Sequence, residues 1–345
     1  MPGGTDQAKG EARRVLASMP KVELHLHLEG SIRPQLLLDL ARRNHIDVGA
    51  ETVEELAARY EFRDFAHFIE LYVIGMSAIR SGDDLLAAIV ALASELGSQQ
   101  VRYAEVTTTA YVHHLNGMPT PDYRDALDIG AKRAREDAGV ELRWIVDIPR
   151  SFEAPDEGWT ADFLTGADAP ADLVAIGLGG PEADYPPEWY EGAFAHCRAA
   201  GIPAVVHAGE VAGPPSVWGA LEVLGATRIG HGVRSMEEAK LVAHLADHQI
   251  PVEVSVTSNV LLGVFPSVAD HPLPRMLDAG LNVSINTDDP AYFSTTLIDE
   301  HVLAHEQLGV TVDQLVAAQH RAIDAALCGP DLKQRMHDEV STTAG

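Results

Sequence analysis

PKVELHLHLEGS, at residues 20–31, decides the fold. It opens with a short apolar run and ends in polar residues that include His25 and His27. Residues i and i+2 of a strand project from the same face, so these two imidazoles can converge on one ion. The pair alone is weak evidence for a metal site, because HxH also occurs by chance. It gains weight in a parallel barrel, whose catalytic residues lie at the carboxyl ends of its strands.

Seven similar runs follow along the chain, and helical periodicity appears between them. A strand followed by a helix, repeated, requires a parallel sheet. The last five runs recur about every 25–30 residues, roughly the size of one βα unit, which predicts a (β/α)₈ barrel of the TIM type. The predicted strands are Val22–His27, Val101–Thr107, Leu142–Val146, Leu173–Leu178, Ala204–His207, Thr227–Gly230, Val252–Val256 and Asn282–Asn286.

The extra length lies mainly between the first and second strands. We predict one domain over residues 1–345, with a helical insertion at about 28–100 that includes the aromatic segment 60–76. That segment is either ordinary helix packing or a lid over a pocket. The Pro/Gly-rich segment 149–170 is predicted to be a long loop. A doubly wound open sheet is the rival architecture, but it usually carries a GxGxxG turn, and GLGG at 177–180 is too short for one.

Composition limits the partners. The 345 residues are 46% hydrophobic and 22% charged, as in an ordinary globular enzyme. The net charge of −26 repels phosphate backbones and anionic lipid headgroups, so we expect neither nucleic acid nor a membrane as partner. The two cysteines, Cys197 and Cys328, form no CxxC, and the first 20 residues carry no signal-type apolar run. Both features favour the cytoplasm.

Ligand-type residues end four of the predicted strands. His25 and His27 end the first strand, His207 ends the fifth within VVHAGE, His231 follows the sixth within RIGHG, and Asp288-Asp289 follow the eighth within NTDDP. Three imidazoles and one carboxylate suit Zn²⁺ or a similar divalent ion with one position left for water. Such an ion lowers the pKa of its water towards 7. Of the adjacent aspartates, one can bind the ion while the other points elsewhere.

Two further residues can move protons. His231 is the candidate that takes and hands on the proton of the water, because a histidine at the barrel mouth beside a metal has a ready function; a buried core histidine is the alternative interpretation. Glu210 lies three residues after His207 and can face the same cavity. In apolar surroundings its pKa rises and it becomes a proton donor near neutral pH. Its alternative is an acid at the N-terminus of the next helix.

These motifs, in this order, resemble the adenosine deaminase family of metal-dependent hydrolases. The shared pieces are PKVELHLHLEGS at 20–31, HAGE at 207–210, RIGHG at 228–232, TSNVLLG at 257–263 and NTDDP at 286–290. The resemblance implies that His25, His27, His207 and Asp288 bind the metal. It also implies that Glu210 donates a proton to purine N1, that His231 assists the attacking water, that Asp289 hydrogen-bonds N7, and that the Gly180 N–H contacts N3. The expected reaction is hydrolytic deamination at C6 of a 6-aminopurine nucleoside.

At several positions this chain differs from the usual family residues, and these positions bear on which substrate it accepts. Adenosine-specific members usually have Asp where this chain has Glu29, a position that meets the ribose 5′-hydroxyl. GLGGPE at 177–182 and Ser255-Val256 also differ from the usual residues. GLGGPE together with DIPRSF at 147–152 favours a 5′-modified nucleoside such as aminodeoxyfutalosine, a menaquinone precursor, with adenosine as a weaker substrate. Plain adenosine deaminase and adenine deaminase are the alternatives.

Two other function classes stay open on the sequence. One is a non-catalytic purine-binding barrel, although such a protein usually lacks one of the ligands or acids named above. The other is a metal-dependent phosphoesterase or amidohydrolase. A phosphoesterase favours cations near the strand ends, where Arg228 and Arg234 are the only ones that the motifs place.

Overall fold

The barrel predicted from the sequence is confirmed. The computed structural model describes residues 3–151, 155–156 and 158–344, and within them eight strands form one sheet in the order β1 to β8. Each neighbouring pair runs parallel. The strands are β1 Lys21–His27, β2 Val101–Thr108, β3 Glu141–Pro149, β4 Leu173–Gly179, β5 Ala204–Ala208, β6 Ala226–His231, β7 Pro251–Val254 and β8 Asn282–Ile285.

The barrel closes between β1 and the residues that follow β8. The Asp288 N–H donates to the His25 carbonyl oxygen at 3.1 Å, and the His27 N–H donates to the Asp288 carbonyl oxygen at 2.9 Å. Lower in the barrel, the Leu24 N–H donates to Asn286 Oδ1 at 2.8 Å. Closure therefore brings a carboxylate from the end of the barrel sequence beside the two histidines of the first strand.

Helices surround the sheet. The segment between β1 and β2 holds four of them, α2 to α5, as the extra length there led us to expect. The described helices are α1 Gly3–Ser18, α2 Pro34–Asn44, α3 Val53–Ala58, α4 Phe65–Met76, α5 Gly82–Ser98, α6 Ala110–Leu115, α7 Thr120–Arg133, α8 Trp159–Thr165, α9 Glu191–Ala199, α10 Pro214–Glu222, α11 Ala239–Asp247, α12 Val256–Leu261, α13 Leu273–Asp278, α14 Leu297–Leu308, α15 Val312–Ala325 and α16 Pro330–Ala344.

Alternate side chains of β1 lie in two different environments. Leu24 and Leu26 are fully buried in the apolar core. The alternate residues Glu23, His25 and His27 are also buried, although they are polar. Since successive strand side chains point to opposite faces, the leucines and the polar residues lie on different faces of β1.

The long loop predicted over 149–170 is partly wrong, because α8 lies inside it. The buried Asp156 carboxylate accepts the Gly158 N–H at 3.0 Å and the Thr160 N–H at 3.1 Å, which satisfies free donors at the start of that helix. Phe152, the last residue of DIPRSF, lies outside the described residues. Within the described residues, no helix combines the length and the apolar character that a membrane span requires.

Candidate active site

Four ligand-type side chains converge at the carboxyl end of the barrel. The His207 Nε2 atom lies 3.0 Å from His25 Nε2 and 3.1 Å from His27 Nε2. Asp288 Oδ1 lies 3.3 Å from both His25 Nε2 and His27 Nε2. One ligand atom from each residue falls within 4.8 Å of all the others. These are the four residues that the sequence proposed as metal ligands.

The hydrogen bonds behind this cluster show that its centre suits a cation. His25 Nδ1 donates to Glu253 Oε2 at 3.0 Å, and His207 Nδ1 donates to the Leu178 carbonyl oxygen at 2.7 Å. With hydrogen on Nδ1, each neutral ring directs its Nε2 lone pair at the other ring. Two facing lone pairs repel unless a positive charge lies between them. The donor set of three imidazoles and one carboxylate therefore fits a single divalent metal ion.

The charges around His25 also favour a cation at this site. Burial by itself lowers the pKa of His25, but the Asp288 and Glu253 carboxylates raise it to about 10. The two carboxylates thus favour a positive charge beside His25, whereas burial and the neighbouring histidines lower the pKa of His207 well below its usual value.

A buried chain of charges supports His25 from inside the barrel. Glu253 on β7 also accepts from Arg228 Nε at 2.6 Å, and Arg228 Nη2 donates to Glu105 on β2. The Tyr103 hydroxyl donates to Glu105 at 2.7 Å. Each carboxylate is paired, which lets two acids and a guanidinium lie in the interior. The chain fixes the tautomer and the orientation of His25.

Unusual backbone conformations occur at two site residues. Asp288 has φ +67° and His231 has φ +61°, which lie in a backbone region that residues other than glycine seldom adopt. Such conformations persist where the surrounding contacts hold them, and they cluster at functional sites. Asp288 is held further by Ser258, whose hydroxyl donates to Asp288 Oδ2 at 2.7 Å.

Glu210 and His231 face each other beside the ligand cluster. His231 Nε2 lies 3.6 Å from Glu210 Oε2 and 4.0 Å from Asp288 Oδ2, while Asn259 Nδ2 lies 3.2 Å from His231 Nδ1. Glu210 Oε1 is buried with no hydrogen-bond partner. Burial, followed by the nearby Asp288 charge, raises the pKa of Glu210 well above its usual value. Helix α10 begins only at Pro214, so Glu210 is not the acid of its first turn.

Asp289 lines the same cavity but does not belong to the ligand cluster. Its Oδ1 is buried without a partner, and burial together with the Asp288 charge raises its pKa well above the ordinary value. Gly30 makes room for it, because a Cβ at that position would overlap the Asp289 carboxylate. Of the two adjacent aspartates, Asp288 lies with the histidines and Asp289 keeps a carboxyl oxygen without a hydrogen-bond partner; their separate roles stay a prediction.

A cavity of about 550 Å³ opens from this cluster. His27, His207, Glu210, His231, Asp288 and Asp289 line its inner end, and Gly180, with φ +92°, lines its side. The aromatic segment at 60–76 supplies another wall through Phe65, Phe68 and Tyr72 of α4. Phe68 packs with Tyr292 and Phe293, which follow Asp289 in the chain. Movement of this wall as a lid stays a prediction.

Glu29 lies apart from the other proposed site residues. It is buried and is not among the residues that line the cavity. Its Oε1 accepts from Thr108 Oγ1 at 2.7 Å, His113 Nε2 at 2.8 Å and the Thr109 N–H at 3.3 Å. Its Oε2 is buried with no hydrogen-bond partner.

Several supporting residues escaped the sequence analysis. Glu253 and Glu105 are acids inside apolar strands, a pattern that signals a buried partner without naming it. Arg150 lines the cavity and donates through Nη2 to the His207 carbonyl oxygen at 2.8 Å, whereas Arg234, one of the two arginines that the motifs indicated, is not among the lining residues. Arg228 lies in the barrel interior and not in the cavity wall.

Comparisons with known proteins cover nearly the whole chain. The family profile described as adenosine deaminase matches residues 20–343. An aminodeoxyfutalosine deaminase from Streptomyces avermitilis is 38% identical over 333 residues, which span 95% of this chain and 92% of that protein. The structure of an adenine deaminase from Arthrobacter aurescens superposes with a TM-score of 0.90 at 32% identity, covering 94% of this chain and 98% of that one. A zinc-bound amidohydrolase from Burkholderia ambifaria gives 0.87 at 27% identity, covering 96% and 93%.

Proposed function

The chain belongs to the adenosine deaminase family, and from that premise we propose that its preferred substrate is a 6-aminopurine nucleoside modified at the 5′ position, such as aminodeoxyfutalosine. The family resemblance read from the motifs is confirmed, as is the class of enzyme, a metal-dependent hydrolase that removes ammonia from an aminopurine. The choice of substrate within that class is the proposal.

One observation carries the chemistry: Glu210 is a buried carboxyl group with a free oxygen beside the ligand cluster. Burial raises the pKa of the Glu210 carboxyl group, which favours its protonated form, and a protonated carboxyl group can deliver its proton to a ring nitrogen. Protonation of purine N1 lets the ring accept electrons when water adds at C6. When the resulting tetrahedral carbon collapses, the bond from C6 to the amino nitrogen breaks. The amino group takes the proton that the attacking water gave up and leaves as ammonia, and the proton of the C6 hydroxyl returns to Glu210.

The metal is proposed to be Zn²⁺, held by His25, His27, His207 and Asp288. Bound there, the ion supplies a water of lowered pKa and polarises the reaction centre. Neutral imidazoles and one carboxylate are typical zinc ligands, and the absence of thiolates is typical of a catalytic zinc site.

The other roles follow from where the side chains lie. His231, 3.6 Å from Glu210, is positioned to orient the attacking water and exchange its proton. Burial raises the pKa of Asp289, which favours its protonated form, and in that form it would donate to purine N7 through its unpartnered oxygen. The Gly180 N–H, at the cavity wall, would meet N3. The substrate-binding role of Glu29 stays a prediction; its buried Oε2 is the oxygen that has no partner.

The size and lining of the cavity favour a substrate larger than adenine. Its inner end is polar, whereas its outer part includes Val73 of α4 and Leu115 of α6, both about half exposed. Exposed apolar side chains at the rim suit a substituent that extends beyond the purine. Aminodeoxyfutalosine as substrate would place the enzyme in menaquinone synthesis. The cytoplasmic location indicated by the sequence stays a prediction.

Ammonia release from a panel of purines tests the proposal. The panel contains aminodeoxyfutalosine, methylthioadenosine, adenosine, deoxyadenosine and adenine, compared by kcat/KM. We expect aminodeoxyfutalosine to be preferred and adenosine to be measurable but weaker. Preference for adenosine would make the protein a plain adenosine deaminase, and activity on adenine alone would make it an adenine deaminase. A folded, zinc-loaded protein that binds purines without releasing ammonia would be a non-catalytic barrel.

A further inference from the structure

Glu182 holds the segment that follows β5 through four consecutive backbone groups. Its Oε1 accepts the Gly209 N–H at 2.5 Å. Its Oε2 accepts the N–H groups of Glu210, Val211 and Ala212 at 3.0, 2.9 and 2.9 Å. The side chain is buried, and these four donors are the partners that compensate its removal from water.

Regular structure does not hold this segment. Strand β5 ends at Ala208 and helix α10 begins at Pro214, so residues 209–213 belong to neither. Gly209 turns the chain with φ +72°. Backbone N–H groups removed from water need acceptors, and Glu182 accepts from four here, two of them in buried and two in partly buried hydrogen bonds. The N–H groups of the backbone that carries Glu210 therefore depend on a side chain from the β4 end of the barrel. The carbonyl groups of this backbone are held separately by Arg234, whose backbone N–H donates to the Gly209 oxygen at 2.8 Å and whose guanidinium donates to the Val211 oxygen.

Arg150 completes the arrangement from the end of β3. Its Nη2 donates to the carbonyl oxygen of His207, which lies just before the same segment. Burial lowers the pKa of Arg150, and the Glu182 carboxylate is the largest of the charges that oppose this effect. The two charges attract each other through space, and each side chain contacts the backbone within residues 207–212.

We infer that Glu182 is a positioning residue for deamination, which fixes the backbone of residues 209–212 and thereby aims the Glu210 carboxyl at the purine. The inference rests on the proposed role of Glu210. Glu182 lies two residues after Gly180, so the turn proposed to contact N3 is continuous with the residue that places the proton donor. Substrate seating and proton delivery are held by one short piece of chain.

A carboxylate suits this position better than an amide. In a Glu182→Gln variant the side chain keeps one acceptor oxygen, and its NH₂ group would face at least one of the four N–H donors. Glu182→Ala removes every acceptor that the side chain supplies. The two variants therefore form a graded series at one position.

The role is tested by a double-mutant cycle on kcat with the zinc-loaded enzyme. Misplacement of a reacting group by about 1 Å costs on the order of 10²-fold in rate, so we expect Glu182→Gln to lower kcat about 10-fold and Glu182→Ala about 100-fold. KM and metal stoichiometry should stay within about 2-fold of the starting enzyme. In a Glu210→Gln background the same substitutions should change kcat by no more than about 2-fold, because the group they position is already absent.

Asp184→Asn is the matched control, an exposed acid in the same turn, and should leave kcat unchanged. An equal loss in both backgrounds, or a loss that follows metal content, would overturn the positioning role. If Glu182→Ala does not fold, the comparison of Glu182→Gln in the two backgrounds is sufficient to test the role.

Amide hydrogen exchange gives a readout that needs no turnover. Glu182→Gln should speed exchange in a peptide covering 209–212 by at least about 10-fold and leave peptides of β1 unchanged. Unchanged exchange at 209–212 would show that Glu182 does not hold the segment. If exchange at 209–212 is faster in the variant but the wild type releases no ammonia from any purine, Glu182 does hold the backbone segment. The role of Glu182 in catalysis and the proposed function would then both be overturned.

Discussion

Glu29 accepts a hydrogen bond from His113 Nε2 at 2.8 Å, and neither side chain lines the cavity. The same carboxylate accepts from Thr108 and Thr109, which precede helix α6. Although burial opposes ionisation, the bonds from His113 and Thr108 lower the pKa of Glu29. An ionised Glu29 thus ties the end of β1 to the start of the helix that carries Leu115 at the cavity rim.

Glu29→Asp should change substrate preference. The shorter acid cannot keep all three donors, so Thr109 and α6 shift at the outer cavity where a 5′ substituent would lie. We expect the ratio of kcat/KM for aminodeoxyfutalosine over adenosine to fall about 10-fold, within the roughly 1–3 kcal/mol that a one-methylene change is worth in a pocket. Glu188→Asp, at an exposed position, is the control. An unchanged ratio in a stable variant would remove Glu29 from substrate selection.

Glu253→Gln should weaken metal binding. The amide of the variant no longer supplies a negative charge beside the His25 ring. The buried Arg228 guanidinium also loses one of the carboxylates that compensate its positive charge. Loss of such a supporting contact typically costs about 10–100-fold in metal affinity, and we expect a change of that size. Competition with a zinc chelator measures it, with the exposed Glu222→Gln as control. Wild-type zinc affinity in the Glu253 variant would contradict the support that we assign to this chain of charges.

Glu210→Gln should abolish most turnover without removing the metal. The amide keeps the shape of the side chain but carries no transferable acidic proton. General acid catalysis contributes roughly 10²–10⁴-fold, so kcat should fall at least about 10²-fold. Metal analysis and a thermal melt on the same preparation complete the measurement. Normal turnover in a well-folded Glu210→Gln protein would assign proton donation to another group.

Glu300 should make stability depend on pH. It is fully buried; its Oε2 accepts the Thr257 N–H at 3.2 Å and its Oε1 accepts from Thr295 Oγ1 at 2.9 Å. Burial raises its pKa to about 7, although these hydrogen bonds oppose the shift. The folded state therefore binds a proton that the unfolded chain has released above pH 4.5. This contribution to stability is complete below that pH and is lost as the pH rises through about 7.

Urea unfolding of the wild type and Glu300→Gln between about pH 4.5 and 8 measures this effect. The difference in unfolding free energy between the two proteins should shift by on the order of 3 kcal/mol across that range, in favour of the Gln variant at high pH. Exposed Glu70→Gln should show no such dependence. A constant difference between wild type and Glu300→Gln would mean that the folded state does not protonate Glu300 preferentially.

Local pattern was enough to predict the barrel and the residues at its strand ends. The β5 prediction, Ala204–His207, differs from the structure by one residue at its end. His25 and His27 on β1 follow from the two-residue period of a strand, because that period depends on neighbouring residues alone. Parallel strands place their carboxyl ends at one edge, so His207 and the aspartates after β8 could be assigned to the same site from order and spacing.

Tertiary structure decided which way the supporting side chains point and what they touch. Glu253 meets His25 across 228 positions of sequence, and Glu29 meets His113 across 84. Glu182 reaches the backbone after β5 from the neighbouring turn. These contacts depend on strand register, barrel closure and side-chain rotamers, which arise only when distant segments pack together. Sequence periodicity predicts the face of the strand on which a residue lies. Which side chain it contacts on that face depends on the three-dimensional fold.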